Sequence, residues 1–328
     1  MLKKILLLCG IGFCTVAAQA QKIDSIPQKV RAIVADKFPI TRVLNLEYES
    51  VGGYKYASKY LGNPLPKGKI ENMQQANGSM NVNLKKGKNW TLGALVGYRF
   101  LSTETLRPDL VTHQMKRGTQ NYHYHYETVN YTYYSKLFGK MAIYTASVMT
   151  DGSEKGFERV RGMLMGNLVL KATREVQMTV GLVGLLDPRV QIPVIPTFTY
   201  KQQYAEGWAL DVLLPKGAFV RKALLGNARA SFGSELNNTF FYLYDFGGSS
   251  RVHTFNQIDI NSGFTYEHNL GRSFIAMVKT GMRTTVQSRV SEKNESQKDY
   301  IYETSPDPTF YFNVGLSFNP FAKKRMQK

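Results

Sequence analysis

Two histidines and a glutamate have the spacing of a small metal site. His123, His125 and Glu127 stand two residues apart, so on a β-strand their side chains share one face. Imidazole and carboxylate ligands suit zinc or nickel. The alternative is a polar stripe near the outer rim of a sheet, interleaved with tyrosines of an aromatic girdle, Tyr122, Tyr124 and Tyr126. We expect the polar stripe and no bound metal, and the trio is the one candidate ligand set.

Hydrolytic chemistry would require a nucleophile beside a base. Ser231 and Ser262 lack the Gly-x-Ser-x-Gly context of an exposed nucleophile, and His253 is the only histidine whose position suits a base. The sequence contains no phosphate-binding glycine loop and no dinucleotide-binding fingerprint. We therefore predict no catalytic residues and no cofactor.

Charged residues fall on the polar faces of the predicted strands. The chain has 42 Lys and Arg residues against 24 Asp and Glu residues, a formal net charge of +18. If these faces line a lumen, the candidates for setting its selectivity are Arg99, Arg159, Arg161, Asp259, Lys279 and Arg283. The lumenal anions would be Glu47, Glu127, Asp211, Glu235, Asp259 and Glu267.

Buried charges need partners, and the predicted strand order supplies them. Arg229 and Glu235 would lie near Asp259 on the next strand. Asp259 would in turn lie near Lys279 and Arg283. We expect this ladder of charge pairs to narrow or occlude the lumen.

The elements that position these residues are strands, because apolar and polar residues alternate with period two along most of the chain. We predict fourteen strands, with twelve as the alternative: 42–50, 77–86, 90–102, 121–135, 140–150, 158–171, 175–186, 194–203, 207–215, 218–224, 227–244, 252–268, 273–290 and 308–319. A change of apolar face near Val129 indicates a β-bulge in the fourth strand.

A soluble β-sandwich would also alternate, so length has to decide between the two architectures. Many of these runs exceed the ~5–6 residues typical of soluble strands and supply the ~9–11 residues that cross a bilayer. Short turns alternate roughly with longer polar stretches at 51–76, 103–120, 245–252 and 291–307, as in a barrel with short periplasmic turns and long outer loops. The sequence therefore predicts an all-β, antiparallel, up-and-down transmembrane β-barrel.

The sequence predicts separate segments before and after the barrel. Residues 1–20 are typical of a signal peptide, with Lys3 and Lys4 before an apolar segment and Ala18-Gln19-Ala20 before a cleavage site preceding Gln21. Residues 21–41 would form a periplasmic segment with a short helix, residues 42–321 the barrel and residues 322–328 a basic tail. Both cysteines lie in the signal peptide, so we expect no disulfide.

The run from Phe310 to Phe321 resembles the C-terminal β-signal of bacterial outer-membrane β-barrel proteins, with the signal positions Phe312, Val314, Leu316, Phe318 and Phe321. That resemblance implies recognition by the barrel-assembly machinery and pairing of the last strand with the first. The whole chain resembles the uncharacterised outer-membrane barrel families of Bacteroidota-type bacteria. This resemblance implies a location in the bacterial outer membrane.

The two tryptophans and the excess of basic residues predict where the barrel contacts lipid. Trp90 and Trp208 each begin an outward-running strand, where an indole would anchor the membrane interface. Basic residues concentrate in the predicted periplasmic turns and the tail and would meet anionic lipid headgroups of the inner leaflet of the outer membrane: Lys86, Lys88, Lys136, Lys140, Lys171, Arg174, Arg272, Lys323, Lys324 and Arg325. We expect no nucleic-acid partner, because the chain is exported.

Three functional hypotheses remain at this point. The first is a passive channel or transporter for small solutes, and the second is a structural or surface-binding barrel acting through outer loops that carry Tyr54, Tyr56 and Tyr60. The third is an envelope enzyme. Fourteen strands lie between the ~8 that side chains fill and the ~16–18 that leave an aqueous channel.

Overall fold

The structure is a computed structural model that describes residue 38 and residues 41–319, apart from residues 111, 188, 191, 225 and 272. The predicted signal peptide, the basic tail and Phe321 lie outside the described residues. So does the predicted N-terminal helix, of which only Phe38 is described. Among the described residues, no helix has the length and apolar character needed to cross a membrane.

Sixteen strand segments account for the fold. They are β1 (Leu44–Val51), β2 (Tyr54–Tyr60), β3 (Asn63–Lys86), β4 (Trp90–Pro108), β5 (Met115–Leu137), β6 (Lys140–Ser153), β7 (Gly156–Ala172), β8 (Val176–Leu186), β9 (Val194–Gln203), β10 (Trp208–Leu214), β11 (Gly217–Leu224), β12 (Ala228–Leu243), β13 (His253–Gly271), β14 (Phe274–Glu292), β15 (Tyr300–Pro306) and β16 (Thr309–Phe318). Single 3₁₀ turns stand at Ala205–Gly207 and Phe246–Gly248.

The segments close into a barrel of fourteen antiparallel strands. Consecutive strands pair from β3 to β14, and β1 closes the ring by pairing with both β3 and β16. β2 continues β1 after Gly52 and Gly53, and β16 continues β15 after Asp307 and Pro308, so each pair counts as one interrupted strand. The prediction of fourteen strands, and not twelve, is confirmed.

The polarity of the barrel is inverted relative to that of a soluble protein. On β16, the exposed side chains are Phe310, Phe312, Val314 and Leu316, whereas Tyr311, Asn313 and Ser317 are buried. The same pattern recurs on the other strands, so an apolar belt faces outward and polar groups face the lumen. A belt of this kind is stable only against lipid, which identifies the fold as a transmembrane β-barrel.

The predicted bulge in the fourth strand is wrong. The register of β5 with β4 and with β6 is continuous. His125, Glu127 and Val129 all lie on the outward face, and this face changes from polar to apolar where the strand enters the belt. The change that indicated a bulge therefore marks the edge of the membrane.

The strands continue far beyond the belt on one side. The first strand begins at Leu44 and the last strand ends at Phe318, and both residues lie at what we name the inner end. At the opposite, outer end, β2, β15 and the outer parts of β3, β4, β5, β13 and β14 form a wall that we name the collar. Residues 51–76, 103–120 and 291–307, predicted as loops, are therefore largely strand, because outside lipid a strand needs no apolar face.

The barrel wall is uneven in height. β3 has 24 residues and β5 has 23, whereas β10 has 7 and β11 has 8. The collar thus rises on one side of the barrel only. On the low side, β12 is longer than its neighbour β11 and extends past it.

Candidate functional site in the barrel lumen

The inner half of the lumen contains a partly open cavity of about 380 Å³, which we name the inner cavity. Its wall carries charged pairs. Lys279 Nζ lies 3.0 Å from Glu235 Oε1, and Arg221 Nε lies 3.0 Å from Asp211 Oδ2. Such pairing offsets the cost of removing these charges from water.

The inner mouth of this cavity is lined by a second charge cluster. Glu267 accepts hydrogen bonds from Arg229, with Nη2 at 2.6 Å from Oε2, and from Arg42. Arg229 also lies 4.8 Å from the ring centroid of Phe38 and donates to its carbonyl oxygen. Phe38, which precedes the first strand, is thus packed against the lumen wall.

A layer of buried polar residues on neighbouring strands lies above the inner cavity. Arg283 donates to Glu49 Oε1 at 2.6 Å and to Asn261 Oδ1 at 3.1 Å, and its Nε lies 3.7 Å from Asp259 Oδ2. Arg283 is 3% exposed and Asp259 is 0% exposed. We name Glu49, Asp259, Asn261 and Arg283 the charged partition.

The observed pairs agree with the predicted ladder only in part. Asp259 meets Arg283 as predicted, but Lys279 pairs with Glu235 and Arg229 pairs with Glu267. The strand register explains the change, because Arg229 stands directly opposite Glu267. Glu127 is a correction, since it lies on the outward face beside His125 and not in the lumen.

A second cavity, of about 140 Å³, lies inside the collar, and we name it the outer cavity. Its lining is largely apolar and aromatic and includes Tyr54, Met73, Leu101, Tyr122, Phe241 and Val290. Burial raises the pKa of Tyr54 and that of Tyr122 to about 12, so both phenols stay neutral at physiological pH. This part of the lumen therefore carries little charge.

The charged partition separates the two cavities along the strands. From the inner to the outer end, Glu47 lines the inner cavity, Glu49 belongs to the partition and Tyr54 lines the outer cavity. The same order holds on β13, with Thr265, Asp259 and Gln257, and on β14, with Lys279, Arg283 and Ser288. One lumen thus contains two cavities and a single polar layer between them.

The outer half of β12 crosses the lumen beside this partition. β11 pairs with β12 only as far as Glu235, and beyond that point four consecutive residues are buried, Thr239, Phe240, Phe241 and Tyr242. Phe240 and Phe241 lie 5.5 and 6.4 Å from Tyr124 of β5, measured between ring centroids. Arg99 on β4 donates to the carbonyl oxygen of Asn238 at 2.9 Å.

Two predicted lumenal arginines hold this crossing segment in place. Arg159 and Arg161 lie 5.0 and 5.6 Å from the ring centroid of Phe240. Arg159 is paired with Asp187 at 3.4 Å, and Arg161 with Asp151. All six predicted selectivity residues therefore line or close the lumen, in three separate groups.

The sequence analysis did not predict three of the carboxylates that lie in the lumen. Glu49 has the same strand parity as Glu47, and Asp151 continues the inward parity of Ser147 just past the predicted end of its strand. Parity within the predicted strand 42–50 would have found Glu49, and parity extended to the true strand end would have found Asp151. Asp187 lies in the connection after β8, where no periodicity exists to indicate it.

The candidate metal ligands share a face, as predicted, but have different partners. The Tyr98 hydroxyl lies 2.6 Å from His123 Nδ1, while His125 Nδ1 lies 3.3 Å from Glu127 Oε1. Within the described part of the chain, no group of three or more potential ligands is placed to hold a metal ion. Tyr122, Tyr124 and Tyr126, the expected girdle, share the inward face of β5 and pack in one cluster inside the barrel, which corrects that interpretation.

The candidate hydrolytic residues do not come together. His253 and Ser262 stand nine residues apart on β13, which corresponds to about 30 Å along a strand. Ser231 accepts from Arg221 at 3.4 Å, and Ser262 is 2.7 Å from Ser234. His253 packs against Phe246 at the outer end, with ring centroids 5.5 Å apart.

The residues expected to contact lipid lie at the inner end. Trp90 and Trp208 are the first residues of β4 and β10; Trp90 stacks on Tyr131 with centroids 5.8 Å apart. Phe312, Val314, Leu316 and Phe318 lie on β16, whose partner is β1, as the β-signal resemblance implies. The described turn residues Lys88, Lys136, Lys140, Lys171 and Arg174 are exposed at the same end.

No protein-family model matches the sequence, and no curated protein matches it. Solved structures similar to the chain include an outer-membrane channel from Pseudomonas putida F1, at 9% identity and a TM-score of 0.35, covering 92% of this chain and 99% of that one. A FadL homologue from Pseudomonas aeruginosa is 8% identical, with a TM-score of 0.32 and coverages of 91% and 96%. The outer membrane protease OmpT from Escherichia coli is 10% identical, with a TM-score of 0.25 and coverages of 86% and 99%.

The class of this protein follows from its own geometry. The barrel is closed, its strand number is even, its outer face is apolar and its lumen is polar. These four features define the outer-membrane type of transmembrane β-barrel.

Proposed function

We propose that the protein resides in the bacterial outer membrane and conducts small solutes through its lumen. The observation that carries this proposal is the pair of cavities at opposite ends of one lumen, with a single polar layer between them. In this proposal the lumen is a path from end to end, interrupted at the charged partition and the crossing half of β12 beside it.

In this proposal the charged partition is the gate. Arg283 links residues of three strands, and displacement of its side chain would join the two cavities. Lys279 on the inner cavity and Arg99, Arg159 and Arg161 beside the crossing strand would then set charge selectivity. Both acidic and basic side chains surround these four residues. Such surroundings favour small polar solutes over cations alone or anions alone.

The test is conductance of the purified full-length chain in planar bilayers. The triple variant Glu49→Ala/Asp259→Ala/Arg283→Ala removes the partition and leaves no unpaired charge among its ionic members. We expect severalfold higher conductance than for the unmodified protein. Arg283→Ala alone is a poorer test, because stranding buried carboxylates costs about 3–5 kcal/mol.

The matched control is Arg251→Ala/Glu292→Ala, which removes an ion pair with oxygen and nitrogen 2.8 Å apart at the outer surface. It should leave conductance unchanged. Folding of every variant is checked by circular dichroism. If the folded triple variant passes no more current than a protein-free membrane, solute conduction is wrong.

A second candidate is a barrel that binds molecules at its outer surface without conducting. The collar favours it, since β2 and β15 extend the wall beyond lipid. The predicted surface tyrosines Tyr54, Tyr56 and Tyr60 lie instead on the inward face of β2, where Tyr54 and Tyr56 line the outer cavity. Binding at the collar together with a lack of conductance in every folded variant would favour this candidate over the first.

A further inference from the structure

The outer cavity has the size and lining of a small-molecule site. Met73, Leu101, Phe241 and Val290 are each less than a tenth exposed and form its apolar wall. Its volume of about 140 Å³ can be compared with an apolar cavity of about 150 Å³, which is enough to hold benzene. One aromatic ring or a short alkyl group fills this space, whereas a long lipid chain does not.

One polar atom inside the wall has no partner. The Thr103 side chain is 7% exposed, and among the described residues its hydroxyl makes no hydrogen bond. A buried hydroxyl without a partner costs free energy, which a ligand acceptor or donor would recover. Thr103 lines the outer cavity, so this unpaired group marks the cavity as a place where a polar ligand atom is accommodated.

A guanidinium stands at the mouth of the cavity. Arg107 is exposed, and with the Gln120 amide oriented to satisfy its neighbours, its nitrogens donate to Gln120 Oε1 at 2.9 and 3.1 Å. Among the residues that the structure describes, no carboxylate forms an ion pair with Arg107. Its charge is therefore available to an incoming anion, and guanidinium pairs strongly with carboxylate.

The mouth opens into a wider space of about 450 Å³ at the outer end. Arg107, Gln120, Tyr122, Leu243 and Phe246 line both this space and the outer cavity. A ligand can therefore enter from outside without passing the charged partition. Lys116 lines only the wider space, and its ammonium is already paired with Asp109 at 2.7 Å.

We propose that the outer cavity binds a small amphipathic acid. Its ring or short alkyl group fills the apolar cavity within reach of Thr103, and its carboxylate meets Arg107 at the mouth. Binding of this kind requires no passage through the lumen. The proposal thus goes beyond solute conduction and holds or fails separately from it.

Titration calorimetry on the full-length protein in detergent tests this site, with benzoate, benzyl alcohol and acetate as probes and protein-free micelles as the blank. Benzoate should bind, benzyl alcohol should bind more weakly, and acetate should show no binding because it lacks the ring. Arg107→Gln should weaken benzoate binding by about tenfold, as expected for loss of a charged hydrogen bond, and leave benzyl alcohol unchanged.

Two further variants fill the cavity. Thr103→Phe and Thr304→Phe each place a ring in the space, and each should abolish binding of both ring-bearing probes; the second variant serves if the first does not fold. Lys116→Gln is the control and should leave all three probes unchanged. Absence of benzoate binding, or binding that survives a folded cavity-filling variant, would overturn the proposal. Neither result depends on conductance.

Discussion

At the scale of single residues, the lumen is a set of charges whose partners come from distant parts of the chain. Arg283 reaches Glu49, 234 positions away, and Lys293 reaches Glu158, 135 positions away. Each pair spans strands or loops that the sequence keeps far apart. Removing one member leaves a buried charge, so these residues stabilise the barrel only as pairs.

Asp187 gives a pH-dependent prediction in a connection outside the membrane. Burial acts to raise its pKa, but hydrogen bonds from Arg189 and the charge of Arg159 outweigh burial and hold the pKa below its ordinary value of 3.8. A carboxylate with a lowered pKa stabilises the folded state fully above the unfolded pKa. This contribution is lost as the pH falls from 3.8 through the folded value.

We therefore expect the connection between β8 and β9 to loosen in acid, and pepsin cleavage there should increase as the pH falls through that window. The comparison is Asp187→Asn, which removes the titrating group and should be cleaved at a rate that changes little over the same range. Equal pH profiles for the two proteins would contradict the assignment to Asp187.

At the scale of elements, a row of glycines explains how β12 leaves the wall. Gly233, Gly263 and Gly281 stand opposite one another on β12, β13 and β14. A Cβ at Gly263 would lie 2.1 Å from the Thr280 carbonyl oxygen. Glycine is needed where neighbouring strands approach this closely, and the crossing half of β12 begins two residues after Gly233.

The glycine row predicts a stability effect. Gly263→Ala should lower the free energy of unfolding by about 1–3 kcal/mol, because the added methyl group meets backbone atoms that cannot move aside. Gly118→Ala on β5 is the matched control, since a Cβ there meets no atom within 4 Å. Urea unfolding in detergent, followed by circular dichroism, measures the free energy of unfolding of both variants. Equal losses would show that the close approach of these strands does not require glycine.

The strands themselves were largely predictable. All fourteen predicted segments overlap an observed strand, because one apolar face against lipid imposes period two wherever the chain crosses the belt. The sequence did not predict the collar strands, because these strands face water on the outside of the barrel and aromatic residues on the inside. Without lipid the alternation loses its apolar half, and the segments resemble polar loops in composition.

At the scale of the whole molecule, the two ends of the barrel differ in charge and height. The outer end carries the collar, and the inner end presents exposed basic turn residues close to the interfacial tryptophans. This arrangement favours contact between the inner rim and anionic lipid headgroups, each charge contributing on the order of 1 kcal/mol near a negative surface.

The lipid contact is testable by neutralising four described turn residues, with the variant Lys136→Gln/Lys140→Gln/Lys171→Gln/Arg174→Gln. We expect it to lose most of the thermal stabilisation that phosphatidylglycerol gives relative to phosphatidylcholine. Lys55→Gln/Lys59→Gln, at exposed positions of β2 in the collar, is the control. A lipid preference unaltered by the fourfold variant would exclude the inner rim as the contact.

The sequence by itself determined the architecture, since strand, membrane face and lumen face follow from a local period that each segment carries independently. It also identified most of the charges that face inward. Only the tertiary structure decided which charges pair, where the partition lies and that β12 turns into the lumen. Those features depend on how the wall curves and on contacts across the lumen between residues such as Arg99 and Asn238, and no local pattern encodes such distances.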